Sequence, residues 1–334
     1  MSTVNRPAHV VIYGFDQALA STISGAFDLF AQAGVTWQRI HNAPKAPVFS
    51  VSLVSATGAD IRCANGMILK SSGPLSTDLN PDILLIPTIG GAIDQVLRNE
   101  QSLYPLLRHF ARQNTDIAAN CTGVFLLAQS GVLDQRDATT HWGFADEFMR
   151  RYPQVSLHSD KLHTVHDRLF CAGGGMAWID LALLFIERYA GAQTARETAK
   201  AHVLDLPRLS QSFYAGSRQQ QQHHDSLIHA IQSYLNQHFQ TLPCVDDLAD
   251  QFNLTSRTLN RRFKSATGYT PGQYIQQLKL DQARKLLETK NYTMDQILSE
   301  IGYEDASSFS RLFKRKTGCS PSEYRSRFKA NGIL

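Results

Sequence analysis

Apolar positions fall into two regimes along the chain. In the first two-thirds, short runs rich in Val and Ile alternate with longer segments whose apolar residues recur every three or four positions. The runs His9–Tyr13, Val48–Val54, Asp82–Ile86, Asp116–Ala119 and Arg168–Ala172 predict strands. The periodic segments predict helices near Thr22–Ala33, Ser102–Gln113, Thr122–Ser130, Trp142–Arg151 and Ala177–Tyr189. This alternation predicts an α/β domain with a mainly parallel sheet between helices. Further on, every segment has helical period and the breaks carry Gly or Pro, which predicts an all-α second domain. The stretch Ser210–Ser226, SQSFYAGSRQQQQHHDS, is polar and aperiodic and reads as a linker. The expected organisation is residues 1–209, a linker at 210–226, and residues 227–334.

Composition agrees with two globular domains. The chain has 334 residues, 43% of them hydrophobic and 19% charged, which excludes wholesale disorder and a collagen-like or disulfide-scaffold class. No run approaches the roughly 18–20 apolar residues of a membrane helix. The start, MSTVNRPAHVVIYGF, has no long apolar core of a secretory signal. Cys63, Cys121, Cys171, Cys244 and Cys319 are widely spaced, without a CxxC pair. That pattern argues for a reducing compartment and against structural zinc. The expectation is a soluble cytoplasmic protein with no metal or cofactor. His223 and His224, beside a glutamine run, suit a solvated linker better than a metal site. Cys63 and Cys171 read as core residues.

Charge separates the halves. Residues 1–222 hold 18 Lys and Arg against 18 Asp and Glu, whereas residues 223–334 hold 15 against 11. The excess is clustered: Arg257, Arg261, Arg262 and Lys264 lie together, as do Arg311, Lys314, Arg315 and Lys316. Two compact basic clusters suit a polyanion partner, although solvated helix faces look similar.

An internal repeat favours the polyanion. Leu259–Gln276, LNRRFKSATGYTPGQYIQ, and Phe309–Ser326, FSRLFKRKTGCSPSEYRS, share seven of eighteen residues at an offset of 50. Each unit has helix-turn-helix logic. In the first, Val245, Leu248, Ala249 and Phe252 form an apolar face, Asn253 makes the turn and Ser256 caps the next helix. Leu259 and Phe263 are then buried, which leaves Arg257, Asn260, Arg261 and Lys264 for bases and phosphates. In the second, Ile297, Leu298 and Ile301 form the face, Gly302 the turn, and Asp305 or Ser307 the helix start. Phe309 and Phe313 are buried, and Ala306, Ser307, Ser310, Arg311 and Lys314 face outward. Arg pairs with guanine and Asn with adenine, small Ser and Ala permit contact with thymine methyls, and Lys suits phosphates. A plain helical bundle would leave the repeated basic placement unexplained.

This half resembles the AraC/XylS family of bacterial transcription regulators, over about Ser226 to Phe328. The resemblance implies two helix-turn-helix units joined by a long helix, here Pro271–Glu288. It places two recognition helices in successive major grooves of double-stranded DNA, about 10 base pairs apart.

In the first domain, DIAANCTGVFLLAQSGVLDQRDATTHW starts as a strand, turns at Cys121 and continues as an amphipathic helix ended by Gly131. An elbow of this kind sits in the cleft at the carboxyl ends of parallel strands. A helix start lowers a thiol's pKa and favours anions. His141, in ATTHW, is expected to return beside Cys121, and Pro87–Gly91 (PTIGG) to turn its backbone N–H groups towards the same pocket. Gly173-Gly174-Gly175 does not satisfy GxGxxG, so it reads as close packing of loop on elbow helix. Trp142 and Trp178 read as apolar fillers, with Trp142 also a candidate for the pocket wall.

These features resemble the DJ-1/PfpI, class-I glutamine-amidotransferase-like domain, over about Val10 to Asp205. The resemblance implies a flavodoxin-like fold. Its combination with an AraC-type half is that of GlxA-type regulators. The acid that the family's enzymes carry after the first strand is replaced by Thr22, with Ser21 beside it; Asp16 falls too early. The family's Pro-Gly-Gly turn is also expanded. A Cys–His hydrolase needs an activated thiolate, an orienting partner and an oxyanion hole. The missing acid favours a sensor pocket, an oxidation sensor included, over a structural elbow or a nucleophile.

The expected function is therefore a non-enzymatic DNA-binding regulator. Its effector site comprises Cys121, Thr122, His141, Trp142, Thr22, Gly90 and Gly91, and no catalytic residue is assigned. The resemblance implies activation and a nitrogen-containing effector; a homodimer is expected because two-fold association is the default, and the expected partners include RNA polymerase but no membrane. The competing expectation is a bifunctional protein whose Cys121–His141 pair retains amidase or hydrolase activity.

Overall fold

The computed structural model describes residues 6–204, 211, 225–238, 245–303 and 305–328. Most of the expected linker, with His223 and His224, lies outside the described residues, as does Cys244. The chain divides into two compact units, Met1–Gln211 and Ser212–Leu334.

The first unit is built on a six-stranded sheet. Across it run Phe49–Val54, Ala8–Tyr13, Ile83–Ile86, Asp116–Asn120, Leu169–Ala172 and His163–His166. The first five are parallel, and the last is antiparallel to Leu169–Ala172. Val10, Ile12, Leu84, Ile86, Ile117 and Ala119 are buried, so the central strands read as continuous apolar runs, as parallel strands covered on both faces do. His163–His166 was invisible to that criterion, because it alternates: Thr164 is buried and Val165 exposed. The start of the central strand is pinned by Asp116, which is 1% exposed. Its carboxylate accepts from Arg168 at 2.7 Å and from Arg188 and Tyr189 at 3.0 Å.

The expected helices are present as Ala20–Gln32, Leu103–Phe110, Val124–Gln129, Ala145–Arg151 and Ala177–Ala201. Ile93–Asn99 and Thr36–Ile40 add two short ones. Ala177–Ala201 runs past its expected end at Tyr189, broken in conformation at Gly191 (φ 84°). Its last part, AQTARETAKA, has little apolar period but is rich in strong helix formers. No helix among the described residues is long and apolar enough to cross a membrane.

The second unit is helical: Ser226–Gln237, Val245–Gln251, Ser256–Thr267, Pro271–Thr289, Met294–Glu300, Ala306–Thr317 and Pro321–Phe328. The repeat is structural as well as sequential. Helices Ser256–Thr267 and Ala306–Thr317 both end on a left-handed glycine, Gly268 at φ 76° and Gly318 at φ 82°. Asn253 (φ 54°) and Gly302 (φ 61°) occupy the two inter-helix turns. One cap differs from expectation. Thr255, not Ser256, caps the first of these helices, its hydroxyl accepting from Thr258 N–H at 3.2 Å. Ser256 is already in the first turn, where its hydroxyl donates to Asp246. Both residues are good caps by type, and the sequence alone does not choose between them.

Candidate functional site

The elbow follows strand Asp116–Asn120 directly. Cys121 sits at φ 57°, a left-handed conformation rare for a side chain with a Cβ, and opens a 3-10 turn, Cys121–Gly123, that feeds Val124–Gln129. The strain is held by surrounding bonds. Thr140 donates its hydroxyl to the Cys121 carbonyl at 2.7 Å, Thr122 donates to Ile89 O at 2.8 Å, and Asn120 donates to the Thr88 hydroxyl at 2.8 Å. Gly123 has no room for a side chain, because a Cβ would lie 2.2 Å from the Pro87 carbonyl oxygen.

Burial decides the chemistry of the thiol. Cys121 is 6% exposed, and desolvation pushes its pKa above the ordinary value. Hydrogen bonds from the backbone of Gly175 and from Thr122 and Thr88 oppose this without overcoming it. The sequence expectation that the helix start would lower the pKa is thus corrected: desolvation outweighs the few N–H groups at hand.

His141 does not serve as its base. Burial lowers the imidazole's pKa, and Nδ1 accepts the Gly143 N–H at 2.9 Å, which leaves the proton of the neutral ring on Nε2. The ring lies against Gly174, where a Cβ would stand 2.1 Å from Cδ2, and beside Trp142 and Phe144 at centroid distances of 5.2 and 5.7 Å. Among the described residues, no hydrogen bond joins His141 to Cys121, and no carboxylate bonds to either. The link between them is indirect, through Thr140, which precedes His141.

The remaining expected pocket residues divide. Thr22, 1% exposed, donates to Leu19 O at 2.7 Å and accepts from Thr88 N–H at 3.3 Å, so it braces the elbow's neighbour Thr88. The N–H groups of Gly90 and Gly91 do not face a pocket: both donate to Gln17 O, at 2.8 and 3.2 Å. Gln17 adopts φ 69°, which turns its carbonyl back onto that loop. Trp142 keeps partial exposure beside His141.

Two groups were missed by sequence reasoning. Gln211, read as linker, is 2% exposed and inserts its amide beside Trp142 and Gly174. Glu100, 8% exposed, accepts from the Tyr13 hydroxyl, and burial raises its carboxyl's pKa. With Asp16 and Asp60 it lines a cavity of about 220 Å³. Neither had a local signal, since a polar stretch and the helix end RNEQS read as solvated.

In the helical unit, Arg257, Arg261 and Lys264 are exposed along one face of Ser256–Thr267, opposite fully buried Leu259 and Phe263. Asn260 is half-buried and donates to Ser256 O at 2.8 Å, within its own helix. Arg262, the other cation of that cluster, pairs with Asp225 through two bonds of 2.6 and 2.9 Å. On Ala306–Thr317, Ala306, Ser307, Arg311 and Lys314 are exposed and Ser310 is half-buried, opposite Phe309 and Phe313. Asp305 caps this helix by accepting from Ser307 N–H at 2.9 Å. Each helix thus presents a basic or small-residue face anchored from behind by two aromatic or aliphatic side chains.

Known proteins share both halves. A DJ-1/PfpI family model matches residues 25–188, and a helix-turn-helix domain model matches residues 248–327. The HTH-type transcriptional regulator CdhR of Pseudomonas aeruginosa is 29% identical, over 86% of this chain and 84% of its own. The HTH-type transcriptional regulator GbdR of Pseudomonas aeruginosa is 24% identical, over 81% of this chain and 73% of its own. Among solved structures, Drosophila melanogaster DJ-1beta matches 60% of this chain and 100% of its own, with a TM-score of 0.51 and 18% identity, a likeness of fold.

Proposed function

The chain belongs to the AraC-type helix-turn-helix regulators that carry a DJ-1/PfpI domain, and on that premise we propose that the first domain senses a small metabolite at the Cys121 elbow. The protein is a DNA-binding transcription regulator. In the proposed scheme it acts as an activator, its effector is a small nitrogen-containing compound, and it associates as a homodimer through the first domain. Two-fold association is the default for soluble homo-oligomers. RNA polymerase is the partner that activation requires.

One observation carries the choice of sensing over catalysis. The elbow thiol is buried, with a raised pKa, and His141 neither bonds to it nor has an orienting carboxylate. A nucleophile that is neither ionised nor paired with a base has no route to the thiolate that attacks. A ligand that binds better to one arrangement of the protein will shift the DNA-binding equilibrium by the difference in its two affinities.

The test is affinity-selection mass spectrometry of the full chain against small nitrogenous metabolites, followed by DNA-binding titrations with any compound retained. Recovery of an intact compound that changes DNA affinity is the expected result. Recovery of a cleaved product, formed by the native chain and absent with Cys121→Ala, would overturn the reading in favour of an amidase or hydrolase.

A further inference from the structure

Gln211 is the last residue of the first compact unit, and its side chain is enclosed by polar groups of matching kind. The amide oxygen accepts from the N–H groups of Gly174 at 3.0 Å and Trp142 at 3.3 Å. The amide nitrogen donates to the carbonyls of Thr140 at 2.7 Å and Lys161 at 3.2 Å, and lies 3.1 Å from the Thr139 hydroxyl oxygen. Donors therefore face one end of the seat and acceptors the other. A primary carboxamide satisfies both ends; a carboxylate would set an anionic oxygen against two carbonyls, and an ammonium would leave both N–H groups unanswered.

Gly173 completes the seat. A Cβ there would lie 2.6 Å from the Gln211 carboxamide carbon and oxygen, in a backbone conformation that any residue can adopt. Its missing side chain answers to the amide and not to a turn. Thr140 joins the seat to the elbow: its carbonyl receives the Gln211 amide, and its hydroxyl donates to the Cys121 carbonyl.

We propose that this seat is a primary-carboxamide site which Gln211 fills as an intramolecular latch, and that an effector bearing a primary amide takes its place. The proposal deepens, and rests on, the reading of the first domain as a sensor. Gln211 is where the first compact unit ends, so exchange of its amide for a ligand's acts at the edge of that unit. A tethered competitor lowers a ligand's apparent affinity by the fraction of time the latch is open. Removing the latch should then reveal amide binding that the native chain suppresses.

The experiment uses the full chain with Gln211→Ala, propionamide as the probe and propionate as the control. A five-atom probe is expected to act at about 10 mM. Propionamide should raise the thermal midpoint of Gln211→Ala and leave the native chain unmoved, and propionate should do neither. Amide hydrogen exchange at Gly174 and Trp142, whose N–H groups donate to the Gln211 amide, should be several-fold faster in the variant than in the native chain, and propionamide should slow it again. Equal effects of amide and acid, or no effect of propionamide on the variant, would overturn the proposal.

Gly173→Ala is the second route, should the first variant not fold. Its methyl evicts the amide, so exchange at the Gly174 N–H should be as fast as in Gln211→Ala, and a native rate overturns the latch. In the Gln211→Ala background, Gly173→Ala should cost little, because the clash is gone. Failure of amide rescue alongside a successful metabolite screen discards the latch alone. Amide rescue without any metabolite binding to the native chain discards the sensor alone.

Discussion

The carbonyl oxygen of Pro87 occupies the space a side chain on Gly123 would need: a Cβ would approach it to 2.2 Å. The oxygen is backbone and a Cβ is fixed by the backbone that carries it, so no rotamer change relieves the contact. Gly123→Ala should therefore displace the elbow and destabilise the first domain by about 1–3 kcal/mol, the usual range for overpacking. Urea unfolding of the full chain, followed at the first domain's transition, measures it. A midpoint identical to that of the native chain would show that the Pro87 loop yields freely.

The thiol of Cys121 should react slowly. Burial holds its pKa above 9.0, so at neutral pH its thiolate fraction lies below that of a free cysteine. Peptide-resolved alkylation by iodoacetamide should give a rate that climbs through pH 9 without an earlier plateau. A plateau near pH 7 would reveal an activated thiolate and restore the nucleophile to contention.

Contacts with DNA should separate by type. Lys314, exposed near the end of Ala306–Thr317, is assigned to phosphate, and Lys314→Ala should weaken all sequences alike while lowering the salt slope by about 1. Arg261, on the exposed face of Ser256–Thr267, is assigned to a base edge. Arg261→Ala should cost roughly 1–3 kcal/mol on the preferred site and relax discrimination there. Identical behaviour of the two variants would refute the division of roles.

The second unit should grow less stable from mildly acidic to neutral pH on account of Asp281. Its carboxyl is mostly buried, is bonded to Arg284 at 3.1 Å and Gln277 at 3.1 Å, and has its pKa pushed up from 3.8 to about 6 by desolvation. A raised carboxylate pKa means that the folded state favours the proton. This residue therefore penalises folding progressively as pH climbs from about 4 through 6, by a total on the order of 3 kcal/mol. Asp281→Asn should remove that slope, so its stability relative to the native chain should be better at pH 7 than at pH 4.5 in paired denaturant titrations. A difference independent of pH would contradict the assignment.

How much of this was legible in the sequence varies with the range of the interaction. The buried strands announce themselves through Val10–Ile12 and Ile83–Ile86, whose every residue is apolar. The elbow shows through the change from strand to helix around Cys121, and the repeated unit through Phe263/Phe313 and Gly268/Gly318. The fate of individual donors did not show. Gly90 and Gly91 look open until Gln17 turns back over them, and that turn has no residue signature. Gln211 finds partners 37 to 72 residues earlier in the chain, a distance at which nothing in a polar stretch can hint at burial. Desolvation of Cys121 is likewise a sum over the whole fold, whereas the helix-start argument uses only its neighbours.

Helix Pro271–Thr289 belongs to two separate apolar cores. Tyr274 and Leu278 join Ile228, Leu259 and Phe263, while Leu280, Ala283 and Leu287 join Ile297, Phe309 and Phe313. With both cores seated on one continuous rod, the rod becomes a ruler with a fixed phase. Inserting a single residue between Leu278 and Leu280 would turn one reading head by about 100° and advance it by about 1.5 Å. A loop would absorb such a change; a helix transmits it whole. If both units read DNA as proposed, operator spacing is written into the pitch of this one helix.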